Sequence, residues 1–156
     1  MLDIPLSPGS FRWPYNGMLS DLRAAISGRA NLLTALGLLI YTEVLGNQIS
    51  RTQGVKKPGG ERSFYCFAEE YMGLSSADMI YEHYRHGLAH LHQIIGATQA
   101  TVAMRADPDW VPDSSTKAIQ ATAGGKGKKL HVNAYWRDFQ RGLAKASHKY
   151  PQVFLV

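Results

Sequence analysis

The chain is poor in cysteine, in long apolar runs and in acidic charge, and each shortage narrows what it can be. Cys66 is the only cysteine among 156 residues. No internal disulfide can form, which suits a reducing compartment. Its neighbours Phe64, Tyr65 and Phe67 favour a small packed hydrophobe over a reactive nucleophile. Met1 to Pro14 lack a basic start followed by an apolar stretch, so no secretory signal is expected. The longest apolar stretch, Leu32 to Tyr41, is about half the length of a membrane span, and Thr34 and Gly37 interrupt it. The expectation is a cytoplasmic protein with no membrane partner. Internal repeats are missing. So are the phosphate-loop pattern G-x4-G-K-[ST] and the zinc-protease pattern H-E-x-x-H.

What remains is an ordinary apolar fraction of 45% and a formal charge of +5. The length favours one domain over residues 1–156, with enough chain to bury a core. The basic balance favours polyanionic partners such as RNA or nucleotides. A mildly basic solvated surface explains the same number.

Residues 1–17, with three prolines, read as an irregular lead-in that packs over the core through Phe11, Trp13 and Tyr15. Ser20-Asp21 offers a helix start. Leu19, Leu22, Ile26, Leu33, Leu36, Ile40 and Val44 then recur at helical spacing. They predict one long helix over about 18–47, with a kink or break near Gly28 and a stop at Gly46-Asn47. A second helix is predicted over about 61–72, ended by Gly73. A third, over about 76–95, carries the stripe Ile80, Tyr84, Leu88, Leu91 and Ile95. Residues 97–133 read as a β-rich insertion with short strands near 97–104, 117–122 and 128–132. A last helix over about 134–148, capped by Asn133, turns Tyr135 or Trp136, Phe139 and Leu143 inward. The expected class is mostly α: a helical bundle with a small β insertion before the C-terminal helix.

The chemistry concentrates on the third helix. His83, His86, His90 and His92 are four of the six histidines in the chain, and Arg85 stands among them. Three readings of this segment compete. Histidines and an arginine at a helix surface can be structural, the arginine covering apolar surface with its stem. His83, His86 and His90 share a flank that could hold zinc or nickel. No second segment supplies a further ligand, and Arg85 opposes a cation, so no metal or cofactor is expected. The third reading is acid–base chemistry on a phosphodiester. A histidine exchanges protons near neutral pH, and an arginine presents a permanently charged fork of donors to phosphate oxygens.

The string Arg85-His86-Gly87-Leu88-Ala89-His90 resembles the R-x4-H signature of the HEPN (higher eukaryote and prokaryote nucleotide-binding) superfamily. The polar second position, His86, matches as well, as does the setting late in a helical bundle. Tyr84 to His90 is similar to small bacterial members. The resemblance covers about residues 18–95 plus the last helix, and leaves out the β insertion. It implies a homodimeric, metal-independent endoribonuclease of the toxin–antitoxin or defence kind, with an antitoxin protein as a possible partner. Arg85 and His90 would be catalytic, with His86 orienting the phosphate. Products would carry 2′,3′-cyclic phosphate and 5′-hydroxyl ends. It equally admits a non-catalytic module that binds nucleotide, RNA or protein.

Tyr84, His83, Lys126, Lys128 and Lys129 complete the candidate substrate-binding set. The three lysines lie in the glycine-rich run from Gly124 to Lys129, read as a hairpin tip that attracts RNA. Tyr81 and Tyr84 are mainly core candidates, and His131 and His148 read as structural. On an ideal α-helix Arg85 and His90 stand roughly 140° apart. A second copy, contributing one group to a shared cleft, brings both to a single phosphate, so a homodimer is expected from this geometry as well; a kink at Gly87 would also help.

Overall fold

The computed structural model describes residues 10–91, 101–103, 117–121 and 128–156. They are mostly helical. Four helices, α1 (Trp13–Ser27), α2 (Asn31–Thr52), α3 (Gly60–Glu70) and the short α4 (Ala77–Met79), lead into a π-helix, Ile80–Leu91. Three short strands follow: β1 (Thr101–Ala103), β2 (Ile119–Ala121) and β3 (Lys128–His131). Helices α5 (Val132–Lys149) and α6 (Pro151–Phe154) complete the chain.

The first helix begins earlier than expected, because Pro14 fits the start of a helix, where its missing N–H leaves no bond unmade. Ser20 and Asp21 therefore lie inside it. Phe11 is buried and bridges Leu155, and Tyr15 packs on Phe154 with ring centroids 4.9 Å apart. Trp13 does not join them; it is 84% exposed.

The predicted long helix breaks where expected, beside Gly28, into α1 and α2. Arg29 takes the left-handed conformation at φ 54°. Ala30 N–H donates to the Ala25 carbonyl and Arg29 N–H to that of Ile26, the paired bonds of a Schellman stop. The break resets the helical phase. Leu19, Leu22 and Ile26 are buried as expected, but Leu33 and Val44 are exposed. The inward face of α2 is instead Thr34, Ala35, Leu38, Leu39, Thr42, Leu45 and Ile49.

The stop at Gly46-Asn47 is also corrected. α2 runs on to Thr52 and ends in a second Schellman turn, with Gly54 at φ 86° and Val55 N–H bonded to the Ser50 carbonyl. Gly46 has another task. A Cβ at this position would sit 1.7 Å from the Ser63 carbonyl oxygen, so only glycine lets α2 approach α3 so closely. By length and composition Leu32–Thr52 could cross a membrane. Here it is the central helix, packed against α1, α3, α5 and the π-helix.

Thr42 is fully buried and satisfied: it donates to the Leu38 carbonyl and shares a 2.8 Å bond with the Tyr135 hydroxyl. Tyr135, Phe139 and Leu143 are the inward face of α5, as the spacing predicts. The cap of α5 is not Asn133, which lies buried in its first turn. His131 caps it, Nδ1 accepting from Ala134 N–H at 3.3 Å.

The strands form a three-stranded sheet in the order β1-β3-β2. β3 runs parallel to β1 and antiparallel to β2, with Leu130 opposite Val102 and Ile119. Leu130 and Ala118 join the helical core. The sheet thus feeds directly into α5 through His131.

Candidate functional site

The predicted third helix starts with one α turn and winds wider from Ile80 onward. Residues 92–95 of that prediction, and His92 with them, lie outside the described residues. A π-helix bonds residue i to i+5 and is uncommon. Here it spans 12 residues and contains the whole R-x4-H string.

The winding changes the geometry of that string. With about 4.4 residues per turn, each residue advances roughly 80°, so five residues return the backbone to within roughly 50° of its starting direction. Positions 85 and 90 therefore lie on one side of the helix, one turn apart. The roughly 140° separation assumed an α-helix. It no longer supplies a reason to require a second copy.

Arg85 is half-buried and meets Glu43 of α2, Nη2 to Oε2, at 2.7 Å; the two side chains are 15% and 21% exposed. Among the described residues, neither Glu43 Oε2 nor Arg85 Nε makes a hydrogen bond, although both are buried, so the contact is a charge contact without hydrogen-bond geometry. From sequence Glu43 reads as an isolated carboxylate on the long helix, more a surface charge than a residue lining a cleft with Tyr41. Only the packing of the π-helix on α2 reveals it as the arginine's partner.

Tyr81 completes this corner. Its ring packs on Phe64 and Tyr65, at 5.4 and 6.1 Å between centroids. Burial raises the pKa of its hydroxyl, and Glu43 raises it further, while Arg85 pulls it back down. Tyr65 donates to Glu61 Oε1 at 2.5 Å nearby. The corner thus holds a guanidinium, two carboxylates and two phenols.

The other candidates are dispersed. Tyr84 is corrected as a substrate-binding residue: it is fully buried, and its hydroxyl faces the Leu130 backbone, with burial pushing its pKa up to about 12. It fastens the π-helix to the sheet. His83 is half-buried. His86 and His90 both lie on the π-helix. Lys128 begins β3 and Lys129, half-buried, follows it; Lys126 lies outside the described residues. His131 is structural, as read, with its pKa lowered by burial and then by Lys129. Cys66 is half-buried, with its thiol pKa raised chiefly by burial.

Set against family models, curated proteins and solved structures, the chain matches none of them.

Proposed function

We propose that this chain is a metal-independent endoribonuclease in which Arg85 holds the scissile phosphate and His90 moves protons, with His86 in support. The 2′-hydroxyl oxygen bonds to the adjacent phosphorus as its proton passes to an imidazole. The bond from phosphorus to the 5′-oxygen breaks, and that oxygen takes up a proton. Arg85 stabilises the charge on the non-bridging oxygens in between. The products are a 2′,3′-cyclic phosphate and a 5′-hydroxyl, and DNA, lacking the nucleophile, is spared.

The observation that carries this reading is the π winding, which sets positions 85 and 90 on one side of one helix. The net charge of +5 adds attraction for the polyanion. A homodimer is compatible with it, but the register supports a pair supplied within each chain. A second reading, a non-catalytic module that binds RNA or nucleotide, is favoured by the Glu43 contact, which already engages the guanidinium.

The test incubates the protein with RNA, and with DNA of the same sequence, in excess chelator. The nuclease reading expects RNA fragments ending in cyclic phosphate and intact DNA. Intact RNA, together with saturable RNA binding, selects the binding module.

A further inference from the structure

The nuclease reading uses Arg85 and leaves its partner without a task. Glu43 comes from a different element, α2, and approaches the guanidinium to 2.7 Å, Oε2 to Nη2. Neither the buried Oε2 nor the buried Nε makes a hydrogen bond among the described residues, so the pair lacks the hydrogen-bonded geometry of the clamp that arginine and carboxylate form when the contact itself is optimised. A brace between two helices does not need charge either. A well-packed apolar pair of similar volume holds such a crossing equally well or better. What the carboxylate does supply is a fixed address for the guanidinium, at the cost of neutralising part of its charge.

We infer that Glu43 is the positioning residue for Arg85: it holds the guanidinium against α2 and competes with an entering phosphate for its charge. The inference rests on the reading of Arg85 as the phosphate-holding group. Tyr81, flanked by both members, confines the pair from the α3 side through its packing on Phe64 and Tyr65.

Two effects of opposite sign follow, and together they separate positioning from bracing. In Glu43→Gln the guanidinium loses its competitor, so inorganic phosphate binds tighter, by about fivefold for a partly exposed pair. The same change releases the guanidinium from its place, so kcat on RNA falls by at least about tenfold, and KM falls with it. Glu43→Asp keeps the charge but withdraws it by one methylene. Phosphate affinity then stays near wild type while kcat still falls.

The experiment is a titration of each full-length protein with inorganic phosphate, followed by NMR, alongside steady-state RNA cleavage corrected for the folded fraction. Tighter phosphate binding with lower kcat in Glu43→Gln supports the inference. Phosphate affinity equal to or weaker than wild type, or an unchanged corrected kcat, overturns it. If Glu43→Gln does not fold, Glu43→Asp decides, and wild-type kcat in that variant overturns the role. If the wild type cuts no RNA, the nuclease reading fails separately, and the phosphate titration alone decides the part played by Glu43.

Discussion

Gly46 and Glu43 lie three residues apart on α2, yet the helix meets its neighbours at these positions in opposite ways. At Gly46 two backbones come together with nothing between them, α2 resting on the Ser63 carbonyl of α3. At Glu43 the π-helix is met through a charge pair, each side chain still partly open to solvent. The first contact is what dense packing produces and tolerates no added atom. The second places two charges where apolar side chains would hold the helices as well. The difference is between two kinds of crossing: one that needs only shape has glycine, and one that brings an arginine into a corner has a carboxylate beside it.

The largest expected effect breaks the first crossing. Gly46→Ala puts a methyl group inside the Ser63 carbonyl, so the helices must separate. A loss of about 3 kcal/mol is expected from overpacking of this severity, read from urea unfolding. A loss below about 0.5 kcal/mol, the range of ordinary surface changes, would show that α2 and α3 are not so closely apposed.

The next effect tests the second crossing. Glu43→Leu leaves a partly buried guanidinium without its counter-charge, and about 1–3 kcal/mol of stability is lost, below the full range for a wholly buried pair. Adding Arg85→Met in the same chain restores stability to within about 1 kcal/mol of wild type. If the double variant is no better than the single one, the charges themselves hold the two helices together, and the contrast with Gly46 disappears.

The smallest effect lies away from both crossings, at the start of α5. Burial, with Lys129 next, keeps the folded His131 pKa below its ordinary 6.5. Well above that value both folded and unfolded states are neutral. As pH falls through and below it, the unfolded chain takes up the proton first, so stability is lost toward acid. His131→Asn keeps a good cap and removes this contribution. The drop in stability between about pH 7.5 and about pH 5.5 is expected to be smaller in the variant. An equal drop would mean that His131 does not titrate across folding.

Much of the architecture is legible in the residues. The stripe Tyr135, Phe139, Leu143 fixes the inward face of α5, and Gly73, at φ 74°, closes the region of α3 where expected. Failures arise where one residue type has two uses. Gly46 and Gly54 both look like helix stops; only the left-handed backbone at Gly54 makes one, while Gly46 answers to a helix distant in sequence. The burial pattern of α2 is not legible past Arg29, whose left-handed turn resets the phase of the apolar spacing. The R-x4-H string is plain in the sequence, but its winding is not. Ile80, Tyr84, Leu88 and Leu91 suit an α-helix, and nothing local marks a π-helix. Glu43 is invisible for the same reason: its meaning comes from a partner 42 positions away.

In the proposed mechanism Arg85 and His90 of a single chain act together on one phosphodiester. Its most direct measurement is RNA cleavage in chelator by wild type, by folded Arg85→Ala, by folded His90→Ala, and by an equimolar mixture of the two variants. Cleavage is expected from wild type and from neither variant nor their mixture. Cleavage at the wild-type rate by either variant, or activity regained on mixing, contradicts the mechanism.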